Sequence, residues 1–188
     1  MPRLVSCALR CSGSWVVRRS NVALVGFMGA GKSTVGRALA VRMRKTYIET
    51  DGLVEHRAGM SIADIFARFG EAHFRDLEAA AVKEAAAANG AVIACGGGVV
   101  LRAENVTVLK DTSVLVYLDA SAETVLRRLG PQSAVRPLLQ GGDREQQVAE
   151  LMARRRPVYE AAADITVKTD GLLVEQIARR IQRRVGQL

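Results

Sequence analysis

The sequence predicts an α/β domain built on a five-stranded parallel sheet, and two observations carry that prediction. Five short β-branched and apolar runs alternate with longer stretches of helical pattern, the order expected of parallel strands joined by crossover helices. The first run breaks at Gly26 into Gly-x-x-x-x-Gly-Lys-Ser, a turn that has meaning only with a strand before it and a helix after it. At 188 residues and 20.2 kDa the chain holds one such domain with a full core, expected over residues 21–188.

Strands are expected at residues 22–25, 46–49, 91–95, 114–118 and 164–167, where β-branched and apolar residues concentrate. The first helix, 32–43, follows the glycine turn directly. Helices at 52–58, 61–69 and 71–88 come next, with Ser61 and Asp64 forming an N-terminal capping pair. Further helical patterns span 103–109, 122–129, 144–162 and 172–185. Two interruptions break the alternation. Residues 130–142 contain Gly-Pro, Arg-Pro and Gly-Gly; a loop of that length in a compact domain is usually functional, so a mobile lid is expected over about 130–143. Gly96-Gly97-Gly98 follows the third strand and suits a close backbone approach to a small ligand.

Composition narrows the function classes. The net charge of +8 is a candidate nucleic-acid footprint, but half of it lies in residues 1–20, where Arg3, Arg10, Arg18 and Arg19 meet no acid. Aromatic residues make up 4% of the chain, too few for base stacking, so no nucleic-acid partner is expected. No apolar run approaches the roughly 20 residues of a membrane span, and no membrane partner is expected. Residues 1–20 are read as a disordered extension. Their Arg- and Ser-containing, acid-free composition also suits an organellar targeting segment, the alternative to a cytoplasmic protein. Cys7, Cys11 and Cys95 give no disulfide framework. Cys95 ends an apolar strand and is expected to be a buried thiol in a reducing compartment.

The chemistry gathers where ligands collect in such sheets, beyond the carboxyl ends of the strands. The backbone of Gly29, Ala30 and Gly31 can cradle phosphates at the positive end of the following helix. Lys32 can reach the β- and γ-phosphates, and the Ser33 hydroxyl can ligate magnesium. Glu49 and Asp51, two apart at a strand end, are expected to point the same way if the extended chain continues. One could hold magnesium through water while the other accepts a hydrogen bond from an attacking hydroxyl. Arg75 and Arg155 could together grip a planar carboxylate, or each could be a surface residue. Arg136, in the expected lid, is placed to swing onto a transferring phosphate. Asp119 mimics a magnesium-binding acid at a strand end but is read as a decoy, and His56 and His73 have no metal-like spacing.

Taken together, these motifs resemble the shikimate kinase family over residues 22 to about 185. The matching pieces are Gly-Phe-Met-Gly-Ala-Gly-Lys-Ser-Thr (26–34), Thr50-Asp51, Phe74-Arg75-Asp76, Gly96-Gly97-Gly98, Arg-Pro-Leu-Leu (136–139) and Arg-x-Pro-x-Tyr (155–159). The resemblance implies a three-layer α/β/α fold of the nucleoside-monophosphate-kinase type and transfer of the ATP γ-phosphate to the 3-hydroxyl of shikimate, with Mg2+. It implies that residues 29–34, including Thr34, hold ATP phosphates, that Ser33 binds magnesium, and that Arg128 lies near adenine. It further implies that Asp51 contacts the shikimate hydroxyls, that Arg75 and Arg155 hold its carboxylate, and that Gly97 offers backbone to it. Arg136 becomes the lid arginine, and the implied small-molecule partners are shikimate and ATP. The chain itself is expected to be a monomer. The chain departs from the family where Glu49-Thr50-Asp51 replaces the usual Asp-x-Asp, where Leu129 replaces a polar neighbour of Arg128, and in a lid about one residue longer. The competing expectations are another small-molecule kinase of this fold, such as a gluconate kinase, and a non-catalytic binding module. A module of that kind would be expected to have lost Lys32, Asp51 or one of the arginines.

Overall fold

The computed structural model describes residues 19–129 and 144–188. Five strands form one all-parallel sheet in the order β2-β3-β1-β4-β5: β1 (Asn21–Val25), β2 (Thr46–Glu49), β3 (Ala91–Ala94), β4 (Ser113–Asp119) and β5 (Ile165–Lys168). Every residue of β1, β3 and β4 is buried, as expected of central strands covered on both faces. β5 alternates buried and exposed at its edge, and β2 at the other edge is half-buried. The helices are α1 (Lys32–Met43), α2 (Thr50–Ala58), α3 (Ile62–Ala86), α4 (Ala103–Thr112), α5 (Ala122–Leu129), α6 (Arg144–Ala162) and α7 (Val174–Val185). α1 packs on α7 and α3 on α4, so helices layer the sheet around a core of its aliphatic side chains. Among the described residues no helix is long and apolar enough to cross a membrane.

Two local features shape the site end of the sheet. The first is the start of α2. The chain leaves the extended conformation at Glu49 (φ −117°, ψ 116°), and Thr50 already opens the helix. The expectation that extension persists through Asp51 is therefore corrected: Asp51 sits in the first turn of α2, where its negative charge suits the positive helix end. The second is a break in α3. Gly70 (φ 78°, ψ 177°) divides it into two helical segments, as the pattern of residues 61–69 and 71–88 anticipates. Ser61 caps the first segment, accepting from the Asp64 N–H at 3.1 Å.

That Gly70 conformation is open almost only to glycine, while no neighbour crowds the position. Gly70→Ala is therefore expected to cost about 1–3 kcal/mol through backbone strain alone. A thermal melt followed by circular dichroism should show a fall in Tm of roughly 3–10 °C for a domain of this size. An unchanged Tm would mean that the break does not depend on glycine.

Candidate active site

The phosphate loop follows from its glycines. Gly26 has φ 144°, and a Cβ there would lie 2.8 Å from the Leu118 carbonyl oxygen, so only glycine lets the chain leave β1 against β4. Inside the loop, the Ala30 N–H donates to the Phe27 carbonyl at 3.1 Å, and α1 begins at Lys32. The Lys32 ammonium is held over the loop by the Gly26 and Phe27 carbonyls at 2.8 and 2.9 Å. The Ser33 hydroxyl donates to Glu49 Oε1, and Arg37 reaches the other oxygen of that carboxylate at 3.2 Å. Arg128, on α5, donates to the Ala30 carbonyl at 3.0 Å and so closes the loop from above. Residues 29–34, Glu49 and Arg128 line a cavity of about 470 Å³, which also has an apolar wall: Leu172, just before α7, and Val174 and Ile177 at its start.

A second cavity, of about 380 Å³, opens beside the first. Arg75 from α3 and Arg155 from α6 enter it, together with Phe66, Phe74 and the backbone of Gly96, Gly97 and Gly98. Met28, Asp51 and Gly97 line both cavities, so Asp51 stands at their junction.

The glycine turn is built for close approach at its two outer positions. A Cβ on Gly96 would lie 2.7 Å from Asp51 Oδ1 and 2.9 Å from Glu78 Oε1, and one on Gly98 would collide with the Arg75 guanidinium. Gly97 meets only ordinary contacts, the nearest at 3.5 Å from the Met28 nitrogen. Thr50 secures the turn by accepting from the Gly96 N–H at 2.9 Å.

Arg75 is fixed from below. It donates to Glu78 Oε2 at 2.8 Å and to Glu71 Oε1 at 2.9 and 3.2 Å, with its guanidinium 5.2 Å from the Phe74 ring centroid. Glu78 is fully buried and its Oε1 has no hydrogen-bond partner among the described residues. Burial pushes the Glu78 carboxyl above its ordinary range against the downward pull of Arg75, with Asp51 adding to the rise.

Sequence reasoning missed Glu78. Its signal was the spacing of three residues from Arg75, which puts the two on one helix face. The apolar wall from α7 had no local signal at all.

The structure brings Gly29, Ala30, Gly31, Lys32, Ser33, Thr34, Glu49, Asp51 and Arg128 to the first cavity and Asp51, Arg75, Gly97 and Arg155 to the second. Arg136 and the expected lid lie outside the described residues. Asp119 is engaged elsewhere, paired with Arg156 at 3.0 Å and accepting from the Tyr117 hydroxyl at 3.2 Å. Cys95 is buried and its thiol is pushed up to about 12 by burial, which keeps it protonated. His73 lies against the Phe69 ring, and the described residues contain no cluster of three metal-ligating His, Cys, Asp or Glu side chains.

A sequence model described as shikimate kinase matches residues 28–186. The chain is 46% identical over 162 residues to the shikimate kinase of Moorella thermoacetica, which covers 86% of this chain and 92% of that protein. It is 44% identical over 168 residues to the shikimate kinase of Symbiobacterium thermophilum, covering 89% and 97%. Among solved structures, the shikimate kinase of Acinetobacter baumannii in complex with shikimate matches with a TM-score of 0.85 at 35% identity, covering 89% of this chain and 93% of that one.

Proposed function

The chain belongs to the shikimate kinase family, and from that membership we propose that it transfers the γ-phosphate of ATP to the 3-hydroxyl of shikimate. The observation that carries this reading is the pair of adjoining cavities with Asp51 at their junction. One is walled by the phosphate loop and the other by two arginines.

On the donor side, successive loop N–H groups and the start of α1 present positive potential to a triphosphate. Lys32 is a point charge on a flexible stem, able to exchange the two loop carbonyls for phosphate oxygens. Ser33 and Glu49 face each other as a hydroxyl and a carboxylate, the hard oxygen donors that suit Mg2+, and Glu49 would serve through water. Mg2+ held by these two residues would supply positive charge to offset that of the phosphates. On the acceptor side, Arg75 and Arg155 receive the shikimate carboxylate, and Gly97 supplies backbone to the ring substituents. Asp51 orients the attacking hydroxyl and takes its proton as the new O–P bond forms and the bond to the ADP oxygen breaks. Arg136 is assigned to the transferring phosphate through the family motif. The working state we propose is a cytoplasmic monomer.

An ADP-release assay with shikimate, gluconate and nucleoside monophosphates side by side tests the reading. Turnover is expected with shikimate alone, and NMR of the product should place phosphorus on the 3-oxygen. Preferential turnover of gluconate or of a nucleotide would overturn it.

A further inference from the structure

Tyr159 has no task in the transfer reaction as derived above, yet its hydroxyl reaches the acceptor cavity's own backbone. We propose that Tyr159 is a positioning residue for the acceptor. Its hydroxyl donates to the Gly97 carbonyl and so ties α6, the helix that carries Arg155, to the glycine turn on the other wall of that cavity. The inference rests on the shikimate reading and deepens it.

Arg155 and Tyr159 are four residues apart on α6, hence one turn apart on the same face. The Tyr159 hydroxyl donates to the Gly97 carbonyl oxygen at 2.5 Å. Burial pushes this phenol up to about 12, while the nearby charge of Arg155 pulls the other way. The group therefore keeps its proton at neutral pH and donates it to the Gly97 carbonyl. Because a peptide unit is planar and trans, a carbonyl held toward Tyr159 holds the Gly98 N–H on the opposite side of the same unit. Fixing one oxygen thus fixes the orientation of the turn that lies against Asp51, Glu78 and Arg75.

The tyrosine is itself held firmly. Its ring stacks on Tyr117 with centroids 5.1 Å apart and planes 15° apart. Tyr117 belongs to β4, and its hydroxyl donates to Asp119, which pairs with Arg156 of α6. α6 is therefore tied to the sheet by the ring stack and an ion pair, and to the glycine turn by the hydroxyl. Only the last of these ties touches the acceptor site.

Tyr159→Phe keeps the ring and removes the hydrogen bond to Gly97. Measured in the full chain at about 15 °C, near a typical stability maximum, KM for shikimate should rise about tenfold. KM for ATP and kcat should each stay within about twofold. Tyr117→Phe serves as the paired variant; it loosens α6 from β4 and should lower Tm without moving KM for shikimate. A Tyr159→Phe enzyme with a lowered Tm and an unchanged KM for shikimate would overturn the proposal, leaving the hydroxyl merely structural. So would equal rises in KM for shikimate and ATP, or a Tyr117→Phe enzyme with the same rise. A wild-type enzyme that does not turn over shikimate would instead overturn the functional reading on which the proposal stands.

Discussion

Asp51→Asn should abolish phosphoryl transfer while ATP binds with its wild-type affinity. The carboxylate lies at the junction of the two cavities, in the first turn of α2, and belongs to no part of the phosphate loop. An amide of the same shape can still accept a hydrogen bond through its oxygen, but it cannot take the proton that the attacking hydroxyl must lose. The loss of one general base is worth about 10²–10⁴ in rate, so kcat should fall by that factor with little change in calorimetric Kd for ATP. The Glu78 carboxyl should move down toward its ordinary range with the same change. Asp51 and the buried Glu78 both press on the space over Gly96, and Asp51 helps to push the Glu78 carboxyl up, so neutralising position 51 relieves a like-charge contact. Turnover within tenfold of wild type would remove Asp51 from the role of base. A parallel loss of ATP affinity would move it to the donor half.

What could be read from the sequence was what depends on near neighbours along the chain. The phosphate loop, the break at Gly70 and the capping pair at Ser61 and Asp64 are local, and each is where the residue pattern puts it. Asp51 shows the limit. Its proximity to Glu49 was legible, but the assumption that the strand continued was not sound, because Thr50 turns its hydroxyl to the Gly96 N–H and begins the helix. The glycine turn shows another limit. The motif singles out the middle glycine, whereas the outer two are the ones with no room for a side chain, since Glu78 and Arg75 arrive from α3. Glu78 is spaced to meet Arg75 on one helix face, but so is the exposed Glu71, and spacing alone does not tell them apart. Only tertiary packing, which buries Glu78 completely, makes it part of the site.

That burial gives the second large effect. Arg75→Ala should damage both substrate binding and the fold, and the two losses can be separated. Arg75 partners Glu78; without it a fully buried carboxylate is left with no cation among the described residues hydrogen-bonded to it. Removing one partner of a buried pair costs about 3–5 kcal/mol, or roughly 10 °C in Tm for a domain of this size. The pH dependence has a definite sign. The folded-state value of Glu78 already lies above its ordinary range, with Asp51 raising it and Arg102 opposing, and losing Arg75 raises it further. A raised carboxyl contributes stability that is full below its unfolded value and lost as pH rises through the folded one. The deficit of Arg75→Ala should therefore be largest at neutral pH and shrink on acidification. Adding Glu78→Gln to Arg75→Ala removes the stranded charge and should recover most of the lost Tm. It should not recover binding. A charge-assisted bidentate contact to the substrate carboxylate is worth about 3 kcal/mol, so KM for shikimate should remain raised roughly 10²-fold in both variants. If the double variant regains both Tm and KM, Arg75 serves only to neutralise Glu78, and the acceptor carboxylate must be held by Arg155 alone.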